Sequence, residues 1–109
     1  EAKGEAKALS EFKQKAGNNR PSYDEQDRRE GRAGLVVFLA YINNGGSLQD
    51  FQLLSSSGHR TLDLKTLKAL RNWKFQPGQE GWVEMPFQWD LKGGVQEAPS
   101  TLRRISRGQ

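Results

Sequence analysis

The chain has 109 residues, 34% hydrophobic and 28% charged, with a formal net charge of +4, which fits one small domain with stretches too polar to join a core. The absence of cysteine and a single histidine, His59, exclude disulfides, thiolate metal sites and most zinc or acid–base constellations. No apolar run approaches the roughly 20 residues that span a bilayer, no signal-peptide pattern opens the chain, and a start at Glu1 reads as a piece of something longer. The charge is uneven: residues 1–32 carry eight basic and seven acidic side chains, residues 33–91 five of each, and residues 92–109 four against one. The excess basicity therefore sits in the tail, whereas a nucleic-acid binder more often carries it on the folded face.

In chain order, residues 1–16 are rich in Ala, Glu and Lys, with only Leu9 and Phe12 as anchors. Residues 1–19 are expected to form the end of a linker or a marginal helix, broken at Gly17-Asn18-Asn19. Arg20-Pro21-Ser22-Tyr23 is extended, because the residue before proline avoids the helical region. Asp24 caps a short helix that ends near Gly31. Leu35 to Ile42 is the strongest strand in the sequence, and Asn43-Asn44-Gly45-Gly46 supplies a hairpin turn into a return strand over Leu48–Leu54. The facing of that return strand is not fixed by its alternation. Ser57 or Thr61 caps the next helix, whose inner face carries Leu62, Thr66, Ala69, Leu70 and Trp73, and Pro77-Gly78 stops it.

Val83, Met85, Phe87, Trp89 and Leu91 then alternate with Glu84, Pro86, Gln88 and Asp90, a third strand with one buried face. Pro86 removes a ladder donor, which places this strand at a sheet edge. Trp82 falls outside the apolar alternation and is the aromatic most open to a partner. The expected fold is α+β: a three-stranded antiparallel sheet with two helices on one face, in the order helix-strand-strand-helix-strand. The domain spans residues 20–92 with flexible or helical extensions at both ends, the last of them a basic tail or short helix over 93–109 with Leu102 and Ile105 on one side. No nucleophile–base pair, paired carboxylate motif or phosphate loop is visible, so the chain does not read as an enzyme and no cofactor or metal is implied.

Taken together, Pro21, Tyr23, Gly34, Val36, Phe38, Ala40, Ile42, Gly46, Ser56-Ser57-Gly58, Leu62-Asp63, Ala69-Leu70, Trp73, Phe75, Pro77 and Pro86-Phe87 stand in the order and spacing of the C-terminal domains of TonB-type energy transducers. The resemblance covers Pro21 through Leu91. It implies a periplasmic domain of a protein anchored in the inner membrane of a Gram-negative bacterium, without catalytic residues. In that family the rest of the protein associates with ExbB and ExbD, which draw on the proton gradient. The domain grips the TonB box, a short peptide of outer-membrane transporters for siderophores, haem or vitamin B12. The resemblance and the edge argument together place the receiving strand at Val83, Glu84, Met85, Pro86, Phe87, Gln88, Trp89, Asp90 and Leu91, with Trp82 beside it. Secondary contacts are expected at Arg20, Pro21 and Tyr23, where the family's Tyr-Pro is Tyr23-Asp24.

An exposed edge accepts an extended peptide as a further strand, largely through backbone pairing. Two other binding readings stay open: a TolA-like or stand-alone domain using the same edge for another envelope protein, and a basic nucleic-acid-binding domain, which the resemblance disfavours. Only the last predicts affinity that collapses with salt. If Val36, Phe38, Ala40 and Ile42 face the helices, then Leu35, Val37, Leu39 and Tyr41 form an apolar row on the other face. That row is expected to be covered by Leu9 and Phe12, by Leu102 and Ile105, or by a second copy in a homodimer.

Overall fold

Two long strands lying side by side frame the molecule. The structure, a computed structural model, describes residues 5–102. Its elements are β1 (Lys7–Ala8), a 3-10 turn (Leu9–Glu11), α1 (Glu25–Arg29), β2 (Gly34–Ile42), β3 (Leu48–Ser55), α2 (Arg60–Leu70), β4 (Gly81–Asp90) and β5 (Gly94–Glu97). Strands β2 and β4 pair antiparallel from Gly34↔Trp89 to Ile42↔Gly81. β3 lies antiparallel on the other side of β2. The outer side of β4 takes β1 in parallel and β5 antiparallel. The fold is α+β, and its central order is the one expected, but the sheet is mixed and has five strands rather than three.

One face of the sheet holds the core. Val36, Phe38, Ala40 and Ile42 of β2 and Val83, Met85, Phe87 and Trp89 of β4 pack with Leu62, Leu70, Trp73 and Phe75. Alternation is what sends these residues to one side. On α2, Leu62, Thr66 and Leu70 form the buried stripe. The Thr66 hydroxyl bonds back to the Leu62 carbonyl and accepts from Trp89 Nε1 at 2.9 Å, so both buried polar groups are satisfied. On β3 the alternation slips. Between Leu39↔Gln52 and Tyr41↔Gln49 the strand has one residue too many, and Asp50 takes a φ of 56°. This bulge returns Leu48 and Phe51, three apart, to the same face, where both pack on the core.

The loop before α2 is closed by a buried acid. Asp63 accepts from Ser57 N at 2.9 Å, from Ser57 Oγ at 2.8 Å and from Ser56 Oγ at 2.5 Å. His59, not Ser57 or Thr61, occupies the N-cap position, and Ser57 Oγ accepts its N–H at 3.1 Å.

A second buried acid joins the two helices. Asp24 caps α1 by accepting from Asp27 N at 2.8 Å. Asp27 lies inside and accepts from Arg32 Nη1 at 2.6 Å, from Thr61 Oγ1 at 3.1 Å and from Lys65 Nζ, which also reaches Asp24 at 2.5 Å. Burial pushes the Asp27 carboxyl up, but the donors from Lys65, Arg32 and Thr61 outweigh it and hold its pKa at about 2. A depressed carboxyl stabilises the fold above its ordinary value of 3.8, and that contribution is lost as pH falls toward 2. Asp27→Asn should therefore lower stability at pH 7 and flatten the loss of stability between pH 4 and 2, as read by urea unfolding at a series of pH values.

Three terminal features differ from the sequence-based expectation. Residues 5–19 form no α-helix, only the 3-10 turn at Leu9–Glu11, and they pack on the domain. Lys7 and Ala8 pair with β4, Leu9 is buried in the core, and Phe12 meets the Phe75 ring edge-on at 6.3 Å. Lys15 N donates to Lys74 O and Gln76 N donates to Lys13 O, so the segment is knitted to the loop after α2. The described part of the tail, residues 93–102, forms β5 and then an extended stretch, with no helical turn. Leu91 does not continue the buried alternation. β4 stops at Asp90, and Leu91 is 37% exposed in the turn to β5.

The row on the back of the sheet is partly screened. Val37 is buried and Leu35, Leu39 and Tyr41 are half-buried. Tyr41 packs edge-on against Trp82 at 5.2 Å. Leu9 and Phe12 lie on the core side and so do not cover this row, Leu102 is half-buried, and Ile105 lies outside the described residues.

Candidate functional site

The strand expected to receive a peptide is β4, and the backbone on its outer side has a definite polarity. Ala98 N donates to Pro86 O at 2.9 Å, so the Pro86 carbonyl points away from β2. In an antiparallel ladder the N–H and C=O of one residue face the same side, and the side alternates along the strand. The missing N–H of Pro86 is therefore absent from the outer edge and takes nothing from the β2 ladder. Glu84, Gln88 and Asp90 also direct their backbone groups outward. The edge position inferred from Pro86 is not found: β4 is an interior strand, with β2 on one side and the chain's own ends on the other. β1 pairs at Val83 and Glu84, β5 pairs from Phe87 to Asp90, and Pro86 sits at the seam between them.

Side chains on β4 divide sharply. Val83, Met85, Phe87 and Trp89 are wholly inside the core and cannot touch a partner. On the back, Trp82 is half-buried, Glu84 and Pro86 are buried, and Gln88 and Asp90 are exposed. Away from the core this strand therefore presents only its outward backbone groups and its back-facing side chains. An open cleft of about 230 Å³ follows β5, lined by Gln88, Asp90, Gln96 and Glu97 among others, so its rim offers amides and carboxylates.

The Arg20–Tyr23 segment meets the far end of this strand from the core side. Pro21 is buried, and Tyr23 stands edge-on to Trp89 at 5.0 Å, donates its hydroxyl to Arg32 O at 2.5 Å and lies under the Arg28 guanidinium at 4.8 Å. Burial raises the Tyr23 pKa against the opposing pull of Arg28. Arg28 also donates to Leu91 O at 3.0 Å, tying α1 to the β4–β5 turn. Arg20 is exposed. Tyr23 and Trp89 thus come together, while Arg20 and Pro21 lie apart from the outer edge of β4.

Sequence reasoning missed the two strands that occupy that edge. Two and four residues are too short for a readable period. It also missed the Glu84 carboxylate, which accepts from Ser100 Oγ at 2.7 Å, from Thr101 N at 2.9 Å and from Thr101 Oγ1. The other sheet edge, β3, is unpaired on its outer side among the described residues. It carries two register shifts and the left-handed Asp50, devices that keep a further strand from lying flat along it. Among the described residues no helix is long and apolar enough to cross a membrane, and no cluster of three or more His, Cys, Asp or Glu could hold a metal.

A family profile described as Gram-negative bacterial TonB protein C-terminal matches residues 19–98. Protein tonB2 of Pseudomonas aeruginosa is 31% identical over 80 residues, covering 68% of this chain and 30% of that protein. Protein TonB of Vibrio cholerae is 39% identical over 57 residues, covering 52% of this chain and 23% of that protein. The chain thus spans less than a third of the length of these relatives. The solution structure of the Pseudomonas aeruginosa TonB C-terminal domain superposes with a TM-score of 0.66 over 93% of this chain and all of that one, at 23% identity, a likeness of fold. Given a profile that covers most of the chain and a relative 31% identical over 68% of it, this chain belongs to the family of TonB protein C-terminal domains of Gram-negative bacteria.

Proposed function

We propose that this domain is the peptide-gripping end of a TonB-type energy transducer. It binds the TonB box of outer-membrane transporters as a strand added to β4 and passes on force derived from the proton gradient for the uptake of siderophores, haem or vitamin B12. ExbB and ExbD engage parts of the full-length protein that lie outside this chain, which place the domain in the periplasm and the anchor in the inner membrane. The observation that carries this reading is that β4 already receives a strand along its outer edge. Its outward groups accept the four register pairs of β5, a strand short enough to be exchanged. At roughly 1 kcal/mol net per hydrogen bond, releasing β5 costs only a few kcal/mol, which a longer peptide regains with its own bonds and side chains. The edge of β3 is the poorer receiver because its bulges interrupt it. A nucleic-acid reading is disfavoured because Phe87 and Trp89 lie inside the core and offer no stacking surface.

A reversible lock tests this. Gln88 and Gln96 face each other across the β4–β5 ladder, both are exposed, and the chain has no cysteine of its own. In the full chain carrying Gln88→Cys and Gln96→Cys, oxidation should fix β5 in place and abolish binding of a TonB-box peptide. Reduction should restore it, with amide shifts at Asp90, Gly94, Val95 and Glu97 and smaller ones at Tyr23. Equal binding by the oxidised and reduced forms would exclude β4 as the receiving edge.

A further inference from the structure

Of the β4 side chains, Glu84 alone is both ionisable and fully buried. It points to the back of the sheet, cross-strand from Leu39. The other buried acids are held from within the domain, Asp27 by Arg32, Thr61 and Lys65, and Asp63 by Ser56 and Ser57. Glu84 differs. All three hydrogen bonds described for its carboxylate come from Ser100 and Thr101, exposed residues of the stretch that follows β5 and leaves the edge with it. Two of the three donors are side-chain hydroxyls. A carboxylate covered by a strand without donors loses its water and gains nothing in return, and this is among the more expensive arrangements in a folded protein. Any segment that replaces β5 and its continuation inherits that requirement.

We infer that Glu84 is a specificity-determining residue of the β4 edge, one that selects an extended peptide bearing Ser or Thr hydroxyls where Ser100 and Thr101 now lie. This rests on the reading of β4 as the receiving strand. It assigns the recognition of the docked peptide to a side chain as well as to the backbone. The present tail is then one occupant of a hydroxyl-reading site, and a transporter peptide with a Ser or Thr in the matching place is another.

The test uses the full chain carrying Ser100→Ala and Thr101→Val, which removes the two hydroxyls that now reach Glu84. Two peptides are titrated against it: a copy of residues 94–102, and the same peptide with its Ser and Thr as Ala and Val. Amide shifts of Gln88 and Asp90 report exchange with β5, and amides of α2 report that the fold is intact. The hydroxyl-bearing peptide should bind about tenfold more tightly or better, since it restores hydrogen bonds to a buried acceptor. Glu84→Gln in the same chain should remove most of that difference. If that variant does not fold, the comparison of the two peptides on the unchanged Glu84 decides alone. Equal affinity of both peptides, each displacing β5, would overturn the assignment to Glu84 and leave strand exchange standing. Failure of either peptide to displace β5, together with failure of a TonB-box peptide to do so, would overturn both.

Discussion

Trp73→Ala should destabilise the domain by about 3–5 kcal/mol, as seen for large aromatics removed from cores. Small domains have about 5–15 kcal/mol in total, so much of the population would unfold at modest denaturant. Trp73 is 2% exposed, stands edge-on to Phe87 at 5.6 Å and donates its Nε1 to Asn19 O at 2.8 Å. The side chain therefore does two things: it fills the space between α2 and β4, and it fastens the backbone just before Arg20 and Pro21. Trp73→Phe separates them. It keeps an aromatic ring in the core but loses the hydrogen bond, worth about 1 kcal/mol, and it should speed amide exchange in residues 18–23 out of proportion to the loss in stability. Urea unfolding followed by circular dichroism gives the first quantity, and hydrogen exchange the second. Uniform exchange across the domain in Trp73→Phe would mean that the Asn19 contact does not position the segment.

Gly46→Ala should be nearly as damaging, for a reason unrelated to apolar burial. Gly46 has a φ of 94°, and a Cβ built on it would stand 2.1 Å from the Phe75 carbonyl oxygen. Phe75 N donates to Gly46 O at 2.8 Å, so the two backbones touch at this point. A side chain there brings left-handed strain of about 1–2 kcal/mol and parts a hydrogen bond worth about 1 kcal/mol. It also moves the fully buried Phe75, so a total of about 3 kcal/mol or more is expected. Gly45 is the control. Its Cβ would meet only Asn43 Oδ1, at 3.6 Å, and Gly45→Ala should change stability by less than about 0.5 kcal/mol. Equal effects at the two positions in urea unfolding would show that the close approach to Phe75 is not what requires glycine.

These glycines bear on why so much of the fold was legible. Gly34 is the same case as Gly46, since a Cβ on it would lie 2.4 Å from Ser57 O. The Ser56-Ser57 and Asp63 pair is a loop-closing hydrogen-bond set. Among the residues by which the chain resembles its family, Gly34, Gly46, Ser56, Ser57 and Asp63 are thus ones where backbone meets backbone or a buried acid needs donors, and most of the others fill the core; such positions tolerate few alternatives. Long periodic elements were equally plain, because β2, α2 and β4 each bury a continuous stripe. What could not be read was local or borrowed. The bulge at Asp50 breaks an alternation that the residue types still suggest. β1 and β5 exist only because β4 offers them an edge, and nothing in Lys7-Ala8 or Gly94–Glu97 announces a strand by itself. Pro86 suggested an edge strand, but β4 is interior, because the chain covers its outer side with its own ends, which no residue pattern announces.

The unequal ladders around β4 also rank how the parts yield under tension. Nine residue pairs join it to β2, four to β5 and two to β1. A pull along β4 is shared by many bonds at once on the β2 side and by few on the outer side. The short outer strands shear away while the inner ladder and the core behind it still hold. The molecule is thus graded like a fuse, with its sacrificial joints on the outer side of β4 and its strongest seam one strand further in.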